Sequence, residues 1–256
     1  MKRYLPQGLK QFLWFVFKSP QRKHGGSLTL LTDFIGYFSI LFNKKRLKPI
    51  TICTGLKNRS NNYINILLES LNKCDHKDLI HLSIYDCGSN DVSNLLSSIQ
   101  EKWKGEVTYE TENIDFSRSY TFNKALKQSK TELLFACDAD MELPSNLIEL
   151  INKYVSNKSA WFPIPFHLDK NGKDGNYKME GKGIFATTKE QLMKTGFYNE
   201  EFTSWGDEDW ELFFRFYKNK IRPHRTWERK LIHHYHESAR QLGRCQHLEW
   251  WCAHRN

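Results

Sequence analysis

An alternation of short apolar runs with amphipathic helical stripes, starting at Pro49, constrains the fold of this 256-residue chain more than any other feature. Strands are predicted at residues 50–54, 79–85, 106–111 and 132–137, and helices at residues 61–72, 92–103, 118–129 and 147–155. Strands that alternate with helices in this way form mostly parallel sheets. The sequence therefore predicts an α/β domain with a mostly parallel sheet flanked by helices.

Three of the predicted strands lead directly into polar clusters. These clusters are KNR at residues 57–59, DCGS at residues 86–89 and DAD at residues 138–140. In open α/β sheets, ligands bind outside the carboxyl ends of the strands. We therefore expect the three clusters to converge on one binding site.

The DAD sequence suggests a metal. Two carboxylates on a tight turn, Asp138 and Asp140, can both reach one hard cation. Mg²⁺ and Mn²⁺ prefer oxygen ligands and often share their coordination shell with substrate phosphates. Lys57 and Arg59 would supply the further positive charge that a diphosphate needs. The alternative is structural, because paired aspartates also cap helices and close turns.

A second group of polar residues precedes an apolar helical face late in the chain. Trp205 and Gly206 come before three acids at residues 207–209, and the apolar residues of the helix follow at 212–217. The acids would therefore lie in the first helical turn, where the helix dipole favours negative charge. The structural interpretation is a capped helix. The functional interpretation is a carboxylate general base beside an aromatic platform for a sugar.

Two further motifs flank this helix. The GKG sequence at residues 181–183 precedes a strand-like IFATT run, and its glycines would either bring backbone close to a ligand or form an ordinary turn. The HHYH sequence at residues 233–236 places three histidines near the end of the domain. One of them would complete a metal shell, and the others would be surface or core residues.

From about residue 50 to residue 238 the chain resembles the GT-A glycosyltransferases, which use a metal ion and a nucleotide sugar. TICTGLKNRSNNYINILLESL and YDCGSND resemble the first strand–loop–helix and the second strand end of family 2 glycosyltransferases, and FSRSYTFNKALKQSKTELLFACDAD resembles the segment ending in the DxD motif. GKGIFATTKEQLMKTGFYNEEFTSWGDEDWEL is similar to the β-1,4-galactosyltransferase and chondroitin-polymerase segment, with its G-G-x-x-x-x-x-K-E-Q-F and W-G-G-E-D signatures. The resemblance implies a GT-A, Rossmann-like fold.

The resemblance also implies a metal site and its ligands. These are Asp138, Asp140 as the direct ligand, and a late histidine, which is His236 or, in a shifted alignment, His234. The expected cofactor is a divalent cation, Mn²⁺ or alternatively Mg²⁺.

Catalytic and substrate-binding roles follow from the same resemblance. It implies that Asp209 is the catalytic base and that Glu208 beside it orients the substrate. The implied donor-binding residues are Thr54, Gly55, Lys57, Arg59, Asp86, Arg118, Asn123, Asp138 and Gly183, and the implied acceptor-binding residues are Trp205, Gly206 and Asp207.

The chain departs from the family pattern at two points and keeps it at a third. Thr54-Gly55 replaces a proline that is common at the end of the first strand, and Asp207 replaces the second glycine of W-G-G, which affects the expected acceptor geometry. Retaining polypeptide N-acetylgalactosaminyltransferases carry asparagine where Asp209 stands. Asp209 therefore favours an inverting reaction.

The net charge of +9 comes from one end of the chain. Residues 1–48 hold ten Lys and Arg but one acid, and the remainder is neutral. Residues 9–17 form an amphipathic helical stripe, and the apolar run at 28–42 is too short for a membrane span of ~20 residues. Such basic, aromatic-rich helices suit an anionic membrane surface. Packing on the catalytic body or on a second subunit, and nucleic-acid binding, are the alternatives.

These features predict three parts: a basic amphipathic helical arm at 1–48, a GT-A domain at 49–238 and a C-terminal tail helix at 239–256. The six cysteines form no CxxC pair and no signal peptide is visible, which indicates reduced thiols. We expect a cytoplasmic protein, peripheral at the inner face of the plasma membrane.

The expected function is inverting, metal-dependent transfer of a hexose, of the galactose or N-acetylhexosamine type, from a UDP-sugar. The expected acceptor is a hydroxyl of a surface glycan or a lipid-linked glycan, and no nucleic-acid partner is expected. The alternatives are a retaining GT-A transferase, an inactive nucleotide-sugar- or carbohydrate-binding module, and a nucleotidyltransferase.

Overall fold

The computed structural model describes residues 47–203 and 206–236. The predicted arm helices and the predicted tail helix lie outside these ranges. Within them, no helix is long and apolar enough to cross a membrane.

Strands and helices alternate through the described ranges. The strands are β1 (Ile50–Leu56), β2 (Ile80–Asp86), β3 (Val107–Thr111), β4 (Leu133–Ala136), β5 (Met141–Glu142), β6 (Ser159–Trp161), β7 (Ile164–Leu168), β8 (Gly175–Tyr177), β9 (Phe185–Thr188), β10 (Arg222–His224) and β11 (Trp227–His233). The α-helices are α1 (Ser60–Asn62, continued by a π-helical segment Tyr63–Leu68 and by Glu69–Leu71), α2 (Leu95–Lys102), α3 (Arg118–Lys127), α4 (Leu147–Tyr154), α5 (Lys189–Thr195) and α6 (Glu208–Lys218). A short 3₁₀ helix, Lys77–Leu79, precedes β2.

The larger sheet has the strand order β10-β6-β9-β4-β1-β2-β3. Its neighbouring strands are parallel except at β9, which is antiparallel to both β4 and β6. The central strand β1 aligns Ile50 with Ile80 of β2 and with Leu133 of β4. This architecture confirms the predicted mostly parallel α/β sheet.

Two apolar cores cover the two faces of this sheet. Because successive side chains of a strand point to opposite faces, Leu133 and Phe135 of β4 enter one core, and Leu134 and Ala136 enter the other. The first core is shared with apolar residues of α1, α2 and α4, and the second with apolar residues of α3, α5 and α6. Helices therefore flank both faces, as the alternating sequence pattern predicts.

A smaller sheet, not predicted from the sequence, has the order β5-β11-β7-β8. Strand β11 runs parallel to β7 and antiparallel to β5, and the β5 pairing sets His233 opposite Met141. Strand β5 is two residues long and begins directly after Asp140. The smaller sheet thus joins the late histidines to the DAD turn.

The start of α5 explains part of the K-E-Q-L sequence. Thr188 caps the helix by accepting a hydrogen bond from the Gln191 amide at 3.1 Å, and the Gln191 side chain accepts one from the Thr188 amide at 3.2 Å. This capping box is typically worth about 1 kcal/mol. Gln191 Nε2 also donates to the Ser156 carbonyl at 2.7 Å. Gln191 therefore ties α5 to the segment before β6 and has a structural role.

Candidate active site

The three predicted polar clusters meet at the carboxyl ends of the central strands. Lys57 Nζ donates to the Cys87 carbonyl at 2.7 Å, which joins the first cluster to the second. Arg59 Nη2 lies 3.1 Å from Nδ1 of His236, and Nε2 of His236 lies 3.1 Å from Oδ2 of Asp140. The predicted convergence of the clusters is confirmed.

Asp140, His233 and His236 form a group of side chains that can hold a metal ion. One ligand atom from each lies within 4.8 Å of the others. Within the described ranges, Oδ1 of the buried Asp140 has no hydrogen-bond partner. Nε2 of His233 lies 3.5 Å from this oxygen. One carboxylate and two imidazoles can together ligate a divalent cation. The residues therefore fit a divalent metal.

Burial lowers the pKa of two histidines at this site, His167 and His233. The His167 ring stacks on the His233 ring with 4.5 Å between centroids. Burial and the nearby His233 lower the pKa of His167 to about 3. Burial also lowers the pKa of His233, against the opposing effect of Asp140. Neutral imidazole is the form that ligates metals, so His233 is in a suitable state at neutral pH.

Arg118, at the start of α3, joins the DAD turn to the acids of α6. Its guanidinium donates to Asp138 and, at 3.0 Å, to the Gly183 carbonyl, and its Nε lies 3.4 Å from Oε1 of Glu208. It also lies over the Phe122 ring at 4.3 Å. Burial alone would lower the pKa of Arg118, but the charges of Asp138 and Glu208 outweigh it and raise the pKa above its usual value. Asp138 is thus held by Arg118, apart from the cluster that contains Asp140.

Glu208 is a buried acid with a raised pKa. Its Oε2 accepts a hydrogen bond from the Gly206 amide at 2.9 Å. Burial raises the pKa of Glu208 to about 6, and the neighbouring Asp209 adds to the shift, while Arg118 opposes it. Asp209, next along α6, is partly exposed.

Both carboxylate oxygens of Asp209 accept backbone hydrogen bonds. Oδ1 accepts from the Trp210 amide and Oδ2 from the Lys182 amide, each at 2.8 Å. These bonds fix the orientation of the carboxylate. Asp207, at the N-terminus of α6, has a φ of 68°, a left-handed conformation that disfavours a Cβ and that glycine adopts without strain. The backbone conformation at residue 207 thus explains why the family pattern has glycine at this position.

The residues predicted to bind the nucleotide-sugar donor lie in different environments. Asp86 is buried and accepts from the Ser89 amide at 3.0 Å and from the Tyr109 hydroxyl at 3.0 Å. Thr54 is fully buried inside β1, and a Cβ on Gly55 would lie 2.6 Å from the Thr121 methyl of α3. Gly55 therefore permits α3 to pack closely on β1.

Asn123 makes structural contacts. Its amide nitrogen donates to the Tyr198 carbonyl at 2.9 Å and to Glu200, and its amide oxygen accepts from the Tyr198 amide at 2.9 Å. These bonds tie α3 to the segment after α5. Binding of the nucleotide-sugar donor by Asn123 stays a prediction. The structural contacts of its side chain do not favour that role.

The sequence predicted one late histidine as a metal ligand, and the structure brings two of them to Asp140. His236 joins the cluster, but His234, the predicted alternative, lies 2.9 Å from Oε2 of Glu142. His233, which the sequence left open as one of three candidate histidines, completes the group. In the sequence, only the spacing of His233 from His236 hints at this role. The register of β11 on β5 determines that His233, and not His234, reaches the cluster. Trp205 lies outside the described residues.

Sequence comparisons agree with this architecture. Residues 166–237 match the family model for the N-terminal domain of galactosyltransferase. N-acetyl-beta-glucosaminyl-glycoprotein 4-beta-N-acetylgalactosaminyltransferase 1 of Mus musculus is 31% identical over 116 residues, which cover 43% of this chain and 11% of the relative. Chondroitin sulfate synthase 3 of Homo sapiens is 23% identical over 237 residues, covering 82% of this chain and 27% of the relative. The chain thus matches only a minor part of each curated relative.

Solved structures share the fold. The mannosyltransferase PcManGT from Pyrobaculum calidifontis, in complex with GDP-Man and Mn²⁺, has a TM-score of 0.56 at 14% identity, with coverage of 83% of this chain and 66% of the other. GalNAc-T7 with UDP, GalNAc and Mn²⁺ has a TM-score of 0.61 at 15% identity, with coverage of 75% and 45%.

The chain therefore has a fold similar to that of GT-A glycosyltransferase structures, and its sequence is similar to parts of glycosyltransferases. The similarity to the galactosyltransferase model lies in the segment from β7 to β11.

Proposed function

We propose that the protein transfers a hexose of the galactose or N-acetylhexosamine type from a UDP-sugar to an acceptor hydroxyl, with a divalent cation and with inversion at the anomeric carbon. The observation that carries the proposal is the grouping of Asp140, His233 and His236 beside the strand-end cluster of Lys57 and Arg59. A metal and two cationic side chains at one edge of a sheet suit a nucleoside diphosphate.

The metal would be held by Asp140, His233 and His236. When bound there, a divalent cation would supply Lewis-acid stabilisation of the negative charge that develops on the departing UDP. Mn²⁺ is the preferred candidate, because two of the three ligand atoms are imidazole nitrogens. The Mn²⁺ in the two structurally similar complexes is consistent with this preference.

The donor would contact residues from three strand ends. Lys57 and Arg59 would contact its diphosphate, and Asp86, at the end of β2, would contact its nucleobase beside the sheet. Arg118 holds Asp138 and Glu208 in place and compensates their charges in a largely buried part of the site.

Asp209 would act as the general base, accepting the proton of the acceptor hydroxyl as that oxygen attacks the anomeric carbon. Each of its oxygens accepts one backbone hydrogen bond, so each keeps a lone pair for the acceptor. Asp209 is partly exposed while Glu208 is buried, which favours Asp209 for contact with the acceptor and Glu208 for orientation. A base on the acceptor side favours inversion, and the anomeric configuration of the product, measured by NMR, distinguishes it from retention.

The first experiment measures UDP release from a panel of UDP-sugars by the purified protein, with Mn²⁺ and with EDTA. Asp140→Ala tests the metal site, and Asp78→Ala is the matched control, since Asp78 is exposed and precedes β2 at the opposite end of the strand. We expect release from one sugar that requires both Mn²⁺ and Asp140. The absence of both UDP release and nucleotide binding would reject the proposal, and binding without release would indicate that an acceptor is needed.

We also propose that the acceptor is a surface or lipid-linked glycan and that the basic arm brings the enzyme to the inner face of the plasma membrane. The excess of nine positive charges in residues 1–48 supports this proposal. A chain without residues 1–46 should retain donor hydrolysis and lose sedimentation with anionic liposomes. Undiminished sedimentation of that chain would reject the membrane role of the arm.

A further inference from the structure

The turn that precedes β9 is surrounded by cationic side chains. Arg225 donates to the Met179 carbonyl at 2.7 Å and to the Gly181 carbonyl at 2.9 Å, and Arg118 donates to the Gly183 carbonyl. Lys182 lies within this turn, and its side chain donates to the carbonyls of Met179 and Glu180 in the same turn. Four carbonyls at residues 179–183 therefore accept hydrogen bonds from charged donors.

Lys182 is an unusual member of this group, because lysine side chains are rarely buried without a carboxylate partner. It is 4% exposed. Its ammonium donates to the carbonyls of Met179 at 2.8 Å and Glu180 at 3.0 Å, and lies 4.1 Å from the centre of the Trp210 ring. Burial lowers the pKa of Lys182 well below its usual value, and the nearby Arg225 adds to the effect. Burial of an ammonium is costly unless these contacts compensate it.

Lys182 connects the turn at 179–183 to Asp209, the proposed base. Its backbone amide donates to Oδ2 of Asp209 at 2.8 Å, while its side chain packs on Trp210, the residue after Asp209. One residue thus contacts α6 twice, once through the backbone and once through the side chain. Any movement of the turn at 179–183 would move the hydrogen-bond donor of Asp209.

We propose that Lys182 is a positioning residue, whose buried ammonium locks the turn at 179–183 so that its amide holds Asp209 in the orientation for proton transfer. The proposal rests on the proposed function, since Asp209 is the base in that reaction. The ammonium acts through the turn and does not touch the substrate.

The test compares Lys182→Met, which keeps the length of the side chain and removes its charge, with Lys189→Met. Lys189 is the matched control, because its ammonium also donates to a carbonyl, that of Ser129 at 2.8 Å, without contacting the turn. Trp210→Leu is a second variant, which removes the aromatic face but keeps the lysine. Two properties are measured: hydrogen–deuterium exchange of peptides covering residues 179–183, and steady-state kinetics with the best UDP-sugar.

We expect exchange in these peptides to be at least about tenfold faster in Lys182→Met and in Trp210→Leu, but unchanged in Lys189→Met. We also expect kcat to fall by about 10- to 100-fold in Lys182→Met, with the donor KM within about twofold of the wild-type value, because misorientation of a base affects the chemical step. A purely structural lysine would not produce this separation of kcat from KM.

Unchanged exchange in Lys182→Met would overturn the proposal, and so would faster exchange with an unchanged kcat. The two proposals also fail separately. If the wild-type protein turns over no donor, the proposed function fails, while the exchange data alone still decide whether the ammonium anchors the turn.

Discussion

Arg118 donates to the Gly183 carbonyl through Nη2 at 3.0 Å, and a Cβ on Gly183 would lie 2.7 Å from that same nitrogen. The glycine therefore makes room for the guanidinium that holds Asp138 and Glu208. Real Cβ atoms essentially never approach so closely, so any side chain at 183 must displace Arg118. The requirement for glycine is thus explained by a neighbouring cation and not by backbone conformation.

Gly183→Ala should reduce the turnover of a UDP-sugar by about 10- to 100-fold, because displacement of Arg118 misplaces the two acids that it holds. Gly181→Ala is the matched control, since a Cβ at Gly181 meets nothing within 4 Å. Initial rates of UDP release measure both. Equal losses in the two variants would contradict the role assigned to the Arg118 contact.

His233→Ala and His236→Ala should each weaken Mn²⁺ binding by at least about tenfold, since even changes in the outer shell of metal sites cost 10- to 100-fold. His234→Ala should stay within about twofold of wild type, because His234 pairs with Glu142 outside the cluster. Isothermal titration calorimetry with MnCl₂ measures these affinities. A larger loss at His234 than at His233 would support the shifted alignment instead.

Asp207→Gly should be more stable than Asp207→Ala by about 1 kcal/mol, because only the alanine carries a Cβ in the left-handed conformation at φ 68°. Both variants lose the carboxylate, so their difference isolates the backbone effect. Urea denaturation of the two variants provides the measurement. Equal free energies of unfolding would show that residue 207 relaxes out of this conformation.

Glu208 should make stability depend on pH between about 4.5 and 6. Burial raises the pKa of Glu208 to about 6 from an ordinary value of 4.5, so the folded protein binds this proton more tightly than the unfolded chain does. Its contribution to the free energy of unfolding is complete below pH 4.5 and falls as the pH rises through 6, by about 2 kcal/mol in total.

Glu208→Gln removes this titration. We therefore expect the stability of Glu208→Gln, relative to wild type, to increase as the pH is raised from 4.5 to 7 in urea denaturation experiments. A difference between the two proteins that is constant across this range would contradict the raised pKa.

The parts of the fold that could be predicted from the sequence are those decided by local apolar patterning. Strands β1, β2 and β4 are short buried runs with strong apolar character, and the helices between them show stripes with the helical period. The convergence of the polar clusters follows from the geometry of parallel strands. The short strands of the smaller sheet could not be found, because β5 has two residues and β11 carries several charged ones.

The remaining parts of the site depend on long-range register and on unusual burial. His233 joins Asp140 because it pairs with Met141, which is 92 positions earlier in the chain and gives no local signal. The burial of Lys182 depends on the alignment of two carbonyls with an aromatic ring. Sequence patterns place lysine at the surface by default, so this position could not be recognised before the turn was seen.

The pairing of β5 with β11 has a consequence for folding thermodynamics. The proposed cation ligands are brought together only when this pairing forms, so a cation that binds all three binds the native state and not the unfolded chain. By mass action, a free cation concentration one hundred times Kd would stabilise the native state by about 2.7 kcal/mol. Cation availability and the population of the completed smaller sheet are therefore thermodynamically linked.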